Sequence, residues 1–372
     1  MKFCYSMTSE LLSALTFNPD EKVMPYHSLC ITIPDAAIDI AENNLRDILA
    51  LAIEHTPGQS AIVVWDDQCD LAIALTKAYR HCLPDALFIE FDGLAPEAVL
   101  AEFEKLMPGD LVVLIQSTSF RLDAFRIRVE LFKRLLKVIE HPHLARMPGT
   151  EALLYIDSLA YDRAYYYGVG HALKARIDSA QVGIIDSGGE QLVFAAAFES
   201  AKLNIGDYSQ LNNIGGQFPI GEVFTESKDL EAVNGRVRIS IFGDTSFKVN
   251  KPVHPITMIV CSGRVTDVVD TTPEFDRVLA NIRADEGEVW LRELGFGLNR
   301  AFSQDRTVSD IGTFERMCGV HLSLGAKHGS YNKANIRKRA AKYHVDVFAI
   351  TKSVTLDGEL IYRDGSWLVN SQ

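Results

Sequence analysis

Short apolar, β-branched runs alternate with stretches of helical periodicity in the first half of the chain. Three runs have the length of buried strands: AIVVW (61–65), ALFIEF (86–91) and LVVLIQ (111–116). Apolar residues recur at helical spacing in the two segments between them, 66–82 and 95–107. Because strand–helix alternation needs crossover connections, it predicts an α/β domain with a mostly parallel sheet.

The residue patterns of three further segments in this half predict two helices and a connection. Residues 35–56 predict a helix packed on the sheet, and LDAFRIRVELFKRLLKVIE (122–140) predicts a long amphipathic helix. The histidines of EHPHLARMPG (140–149) lie in a Pro-bracketed turn, which predicts a solvated connection. No Gly-rich phosphate loop follows any of the strands, so a nucleotide site is not predicted.

The pattern changes near residue 190. Short alternating runs such as LVFAAAFE and GRVRISIFG are separated by turn residues, and the Asp-Gly steps indicate hairpins. Helical spacing returns in TPEFDRVLANIRADE (272–286). We therefore predict an α/β domain over 1–188 and a β-rich α+β domain over 189–372, in agreement with the size at which single cores stop growing.

Composition narrows the class of protein. The 372 residues are 47% hydrophobic and 23% charged, with a formal net charge of −12, which disfavours nucleic-acid and anionic-membrane surfaces. No apolar run approaches the ~20 residues of a membrane span, and the N-terminus does not resemble a secretory signal. The six cysteines show no CxxC spacing, so free thiols are expected and a thiolate zinc site is not. These features are typical of a cytoplasmic enzyme.

Candidate metal ligands lie in the β-rich half. His344 and Asp346 stand two positions apart in KYHVDVFAI (342–350), which places both on one face of a strand. The pair is either half of a metal site or the polar decoration of a half-exposed strand. Three more candidates, Glu222, Glu293 and His321, each lie beside glycines that allow close approach.

Together these five side chains form a mixed nitrogen and oxygen set. Such a set suits zinc, manganese, cobalt or iron better than calcium, which prefers oxygen alone. Five ligands exceed the usual three of a single catalytic zinc and suit two ions that share a carboxylate and a water. The chemistry indicated is hydrolysis of an amide or ester.

Four ordered motifs resemble the signature set of the aminopeptidase T family of metallopeptidases. They are FPIGEVFTE (218–226), ELGFGLN (293–299), GVHLSLG (319–325) and HVD followed by LDGELI (344–361). The resemblance implies two divalent ions (Zn, Co, Mn or Mg) and leucyl-type aminopeptidase activity on short peptides or small amides. It also implies a homodimer whose subunits have an α/β N-terminal domain and a metal-carrying C-terminal domain.

Residue by residue, the resemblance assigns the metal ligands. Glu222 and Glu293 match the family's two metal-binding glutamates, and His321 matches its motif histidine. The closing His-x-Asp is His344 and Asp346. Glu293 is the expected bridging carboxylate.

Two departures from the family pattern bear on the site. The family's tyrosine seven residues after the motif histidine is His328 here, which could bind a metal or act as general acid. Glu226 stands where the family has a small residue, and it either faces the site to meet a substrate ammonium or is a solvated loop charge. Lys327 and Lys333 either orient a substrate carboxylate or lie at the surface.

Two alternatives remain at this stage. Dihydroxypyridine dioxygenases are similar to this family but use one non-haem iron held by two histidines and a carboxylate, with a histidine in place of Glu293. Retention of Glu293 favours two metals, although His344, Asp346 and Glu293 could still form a facial triad for iron. The other alternative is a specialised amide or ester hydrolase, or a binding protein, on the same scaffold.

Overall fold

The computed structural model describes residues 33–120, 122, 127–336 and 341–369. Its helices are α1 (Asp35–Asp47), α2 (Asp70–Cys82), α3 (Pro96–Phe103), α4 (Ile127–Lys133), α5 (Thr150–Ser158), α6 (Arg163–Ser179), α7 (Pro273–Glu286) and α8 (Ile311–Phe314). None of the helices in these ranges is long and apolar enough to cross a membrane.

The strands form two sheets. They are β1 (Ala61–Trp65), β2 (Leu87–Glu90), β3 (Leu111–Ile115), β4 (Lys137–His141), β5 (Gly183–Asp186), β6 (Gln191–Phe194), β7 (Lys202–Asn204), β8 (Gly215–Gln217), β9 (Glu222–Glu226), β10 (Val233–Gly243), β11 (Val249–Asn250), β12 (Ile256–Cys261), β13 (Arg264–Val269), β14 (Leu291–Gly297), β15 (Gly319–Leu324), β16 (Val345–Ala349), β17 (Ser353–Leu356), β18 (Glu359–Arg363) and β19 (Ser366–Trp367).

The first sheet is parallel, in the order β2-β1-β3-β4-β8. The three strands predicted from apolar runs are confirmed as β1, β2 and β3, and α2 and α3 lie in the segments between them. Val113 and Leu114 of β3 are fully buried, as expected for a strand covered on both faces. The predicted alternation of strands and helices in the first half is therefore confirmed.

The prediction of one long helix over 122–140 is wrong. Among its described residues, α4 ends at Lys133 and β4 begins at Lys137. β4 (KVIEH) has only two apolar residues, Val138 and Ile139, so it is too short a signal for periodicity to separate it from the helical pattern before it.

The second sheet is antiparallel and has the path β19-β18-β17-β5-β6-β10-β16-β15-β14-β9-β7, with β12 also pairing with β10. β5 joins this sheet before residue 188, and β8 joins the parallel sheet after it. The boundary near 188 stays a prediction. Cys69, Cys82, Cys261 and Cys318 are free thiols as expected, whereas Cys4, Cys30 and the N-terminal segment lie outside the described residues.

A buried hydrogen-bond chain connects the parallel sheet to the segment that precedes β9. Tyr155 donates its hydroxyl to the carbonyl of Phe218, so its oxygen accepts from Nδ1–H of His141 at 2.8 Å. Tyr79 donates to His141 Nε2 at 2.9 Å. Both ring nitrogens are thus satisfied in the neutral imidazole. The expectation of a solvated connection is wrong for His141, which is fully buried at the end of β4.

Acid should destabilise the protein through His141. Burial lowers the pKa of His141 from 6.5 to about 3, so between these values the unfolded chain binds a proton that the folded chain does not. Its contribution to stability is complete above pH 6.5 and is lost as pH falls toward 3. We expect the free energy of unfolding to fall by about 2 kcal/mol more between pH 7 and pH 5 in the wild type than in His141→Gln. Urea titrations at the two pH values measure this, and equal losses in both proteins would contradict it.

Candidate metal centre

The candidate ligands lie on four adjacent antiparallel strands. Their order is β9-β14-β15-β16, which carry Glu222, Glu293, His321 and Asp346 respectively. Paired residues of neighbouring strands share a face, and the register pairs Gly297 with Glu222 and Gly295 with His321. The strand pairing therefore brings motifs that are far apart in the sequence to one face of the sheet.

A β-bulge includes Glu293. Leu291 pairs with Leu324 and Leu294 pairs with Leu322, so three steps on β14 match two on β15. Arg292 and Glu293 are therefore two residues of β14 that lie opposite one residue of β15, Ser323. The side-chain hydroxyl of Ser323 accepts from the Glu293 N–H at 3.0 Å, which satisfies a backbone donor that the bulge removes from the ladder. Bulges of this kind redirect side chains next to active sites.

Glu222, Glu293 and His321 form what we call the inner half-site. Each offers one ligand atom within 4.8 Å of the other two. His321 Nε2 lies 3.2 Å from Glu222 Oε1 and 3.4 Å from Glu293 Oε1, but neither nitrogen of the buried ring makes a hydrogen bond. Donor atoms that converge without bonding one another are the arrangement that a shared cation requires.

Glu293, His344 and Asp346 form the outer half-site, again with ligand atoms within 4.8 Å of one another. His344 Nε2 lies 3.2 Å from Asp346 Oδ1, which is buried without a hydrogen-bond partner. Nδ1–H of His344 donates to the carbonyl of Lys327 at 3.2 Å. A histidine that gives one N–H to a carbonyl leaves its other nitrogen free for a metal, so the residues present fit a divalent cation.

The electrostatics of the cluster also favour positive charge. Burial raises the pKa of Glu293, but the imidazoles of His321 and His328 outweigh burial and bring it below its ordinary value. Burial alone would lower the pKa of His321, yet the carboxylates of Glu222 and Glu293 raise it to about 10. For His344, Asp346 likewise overcomes burial and raises the pKa to about 9. Protons and cations therefore compete for the same ring nitrogens.

Two glycines make room for the ligands. A Cβ on Gly295 would lie 2.0 Å from His321 Nε2, so the imidazole occupies the space that any other residue would fill. Gly221, directly before Glu222, has a φ of +120°, and a Cβ there would lie 2.6 Å from the ring of Tyr166. Steric contacts thus explain why glycine stands at positions 221 and 295 of the motifs.

His328 also reaches the cluster, from the loop after β15. Its Nε2 lies 2.9 Å from Glu293 Oε2 without making a hydrogen bond, and its Nδ1 accepts from the Ser330 N–H at 3.1 Å. In the neutral ring the proton is therefore on Nε2, facing the carboxylate. Neither nitrogen then has a lone pair free for a cation, which favours a donor role over a ligand role.

The interpretation of Glu226 and Lys333 as surface charges is wrong. Glu226 is 0% exposed and forms an ion pair with Arg292, so it is not a solvated loop charge, and neither it nor Lys333 is among the groups that line the cleft beside the ligands. Lys333 Nζ lies 2.7 Å from Glu199 Oε1 and 3.7 Å from Glu226 Oε2, with its side chain 7% exposed. Glu226 is the register partner of Glu293, so this ion pair lies beside the ligands in the sheet. Lys327 contributes its backbone carbonyl to His344 and has an exposed side chain.

A cleft of about 450 Å³ opens beside the ligands. Glu222, Glu293 and His344 line it on one side, and backbone of β8 lines another part. Its other lining groups include the apolar Phe132 and Leu203. This volume suits a small ligand with both polar and apolar parts.

Several supporting residues were not singled out from the sequence. Arg316 lines the cleft with its Nη1 4.0 Å from Glu222 Oε2 and donates to the carbonyl of Gly312. Asn299 donates to the carbonyls of Ser158 and Ile220, which fixes the chain just before Glu222. Asn299 and Ser323 do fall inside the quoted motifs, and that is the one signal that could have found them.

Comparison with known proteins adds a relationship of fold. No protein-family model matches the chain, and no curated protein sequence matches it. The structure of 2,5-dihydroxypyridine dioxygenase from Pseudomonas putida KT2440 is similar, with a TM-score of 0.56, 15% identity and coverage of 90% of this chain and 98% of that one. AmpT from Thermus thermophilus is similar with a TM-score of 0.55, 15% identity and coverage of 89% and 99%. At this identity both likenesses show a distant common fold alone.

Gly295→Ala tests the steric origin of the inner half-site. The new methyl would displace the His321 imidazole, so we expect the affinity for Zn²⁺ to fall at least about tenfold, with a stability loss of about 1–3 kcal/mol from overpacking. Calorimetric titration with Zn²⁺ and urea unfolding measure the two effects. Gly58→Ala is the matched control, because a Cβ there meets nothing within 4 Å. Unchanged Zn²⁺ affinity in Gly295→Ala would refute the role of this glycine.

Proposed function

We propose that the chain is a metal-dependent hydrolase that removes N-terminal residues from short peptides, a metallo-aminopeptidase. One observation carries the proposal: Glu293 belongs to two donor sets, each with ligand atoms within 4.8 Å. A carboxylate shared in this way suits two neighbouring cations. The four ordered motifs and the fold in common with AmpT support the same conclusion.

The residues have distinct roles in this proposal. Glu222 and His321 would hold the inner cation, His344 and Asp346 would hold the outer one, and Glu293 would serve both. Divalent cations at these positions would lower the pKa of a bound water and polarise a substrate carbonyl. His328 keeps a proton on Nε2 beside Glu293, where it can orient the carboxylate or donate toward the reacting group. The cleft receives the substrate next to these groups.

A mononuclear iron dioxygenase is the second candidate, and the dioxygenase of similar fold favours it. Its facial triad would need two histidines and one carboxylate. Among the described residues, each half-site instead has one histidine and two carboxylates. The donor sets therefore support two-metal hydrolysis over oxygen chemistry. A specialised amide or ester hydrolase would use the same ligands and differ in substrate.

Turnover of model substrates tests the proposed reaction. Protein loaded with Co²⁺ or Zn²⁺ should hydrolyse some member of a panel of aminoacyl-p-nitroanilides and dipeptides, and Glu293→Gln should reduce kcat/KM by at least about 10³-fold because it removes the shared ligand. Asp305→Asn, at a side chain 99% exposed, is the matched carboxylate-to-amide control. Absence of turnover with every metal would exclude the peptidase, whereas cleavage of amides other than peptides would indicate the specialised hydrolase.

Metal stoichiometry separates the two reaction classes. We expect two cations per wild-type chain, one in Glu222→Gln, one in Asp346→Asn and none bound tightly in Glu293→Gln, since only Glu293 serves both half-sites. Elemental analysis after dialysis gives these numbers. A single iron per wild-type chain, with oxygen consumption, would support the dioxygenase instead. We also propose that the chain forms a homodimer and is located in the cytoplasm.

A further inference from the structure

A buried ion pair lies beside the metal centre. Glu226, the last residue of β9, contacts Arg292 in the bulge of β14, and the two side chains are 0% and 2% exposed. Lys333 approaches the same carboxylate at 3.7 Å while it donates to Glu199 and to the carbonyl of Ser227, each at 2.7 Å. We call Glu226, Arg292 and Lys333 the clamp. It belongs to none of the ligand sets described above.

The clamp holds the loop formed by residues 325–333. Besides its contact with Glu226, Arg292 donates through Nη1 to the carbonyl of Ala326 and through Nη2 to that of Tyr331, at 3.1 Å for the latter. These two carbonyls lie on either side of His328. Lys333 fixes the end of the same loop. A single guanidinium therefore fastens both halves of the loop to β9 and β14.

The loop gives two groups to the outer half-site. The Lys327 carbonyl accepts from His344 Nδ1–H at 3.2 Å and sets the direction of that ring. His328 presents Nε2 to Glu293 Oε2 at 2.9 Å. The contact to His344 is confined to the outer half-site, whereas the contact to Glu293 falls on the residue that both half-sites share. His321, by contrast, extends from β15 over Gly295 and is positioned by the sheet itself.

We propose that the clamp positions the outer half-site and so determines the affinity for the second cation. The inference rests on the proposed two-cation site. Glu226, Arg292 and Lys333 are positioning residues in it, acting through Lys327 and His328 without contacting cation or substrate. Glu226 compensates the charge of Arg292 and Glu199 compensates that of Lys333, so the effect of the clamp is transmitted by loop geometry.

The test replaces both members of the ion pair at once. Arg292→Met alone would leave the Glu226 carboxylate buried without its main partner, whereas the double variant Glu226→Met/Arg292→Met retains volume and removes the donors to Ala326 and Tyr331. Calorimetric titration of the metal-free protein with Zn²⁺ should show the second Kd raised by about 10- to 100-fold and the first changed by less than about threefold. Arg306→Met is the control, since Arg306 also joins a carboxylate (Asp157) and a backbone carbonyl (Ala301).

Hydrogen exchange gives a second readout that needs no metal. The Lys327 N–H donates to Tyr343 and the Ser330 N–H donates to His328, so both amides should exchange as slowly as those of β15 in the wild type. In the double variant they should exchange at least about tenfold faster, while β15 amides stay protected. If the double variant does not fold, fast exchange of these two amides in the wild type would by itself overturn the proposal.

The outcomes separate this inference from the proposed function. Fewer than two cations in the wild type would refute the two-metal hydrolase, and the exchange measurement would then decide whether the clamp orders the loop. Two cations in the wild type with an unchanged second Kd in the folded double variant would refute the clamp and leave the hydrolase intact. An equal loss of both affinities would also refute it, because it would indicate general destabilisation.

Discussion

The Glu293 carboxylate is the group on which the whole centre depends. It is buried with Glu222 and Asp346, and three carboxylates removed from water are costly without opposite charge beside them. His321 and His328 contact Glu293 directly, and Arg316 lies 4.0 Å from Glu222. A fold that gathers these anions around one shared carboxylate has created a strong and local preference for cations. The two-cation hydrolase is proposed because it uses this preference at both half-sites.

The geometry of that carboxylate comes from the sheet. Strand alternation places Glu293 on the same face as Gly295 and Gly297, and Glu226 is its register partner on β9. The bulge at Arg292 and Glu293 lies where the Arg292 side chain meets Glu226, so the bridging position and the clamp are neighbours in the sheet. The parallel sheet contributes through the chain from His141 to Tyr155 and Phe218, which fixes the approach to Glu222. Glu222 and Glu293 are thus held by strands that are paired on both sides.

Much of this arrangement follows from sequence, and the exceptions have physical reasons. The apolar runs of β1 to β3 and the His344–Asp346 spacing depend on local periodicity, so they could be predicted without knowing any partner. β4 could not be distinguished from a helix because its two apolar residues, Val138 and Ile139, are too few to show the period of a strand. The burial of Glu226 depends on Arg292, 66 positions away, and the burial of His141 depends on Tyr79 and Tyr155. Contacts of that range are set by strand register and helix packing, which residue patterns do not encode.

The clamp also connects two positions, 226 and 328, that look unrelated in the sequence and at which the chain differs from the aminopeptidase T motifs that it resembles. A histidine at position 328 is useful to Glu293 only if its ring is turned so that Nε2–H faces the carboxylate, and that orientation depends on the Ser330 N–H and on a fixed loop. The loop is fixed by Arg292, whose charge could not remain buried without Glu226. Burial of such a pair is poor evidence for stability, because desolvation offsets much of the attraction. The ion pair instead fixes positions. One planar guanidinium donates to Glu226 and to the carbonyls of Ala326 and Tyr331, so it determines where these carbonyls and the residues between them lie.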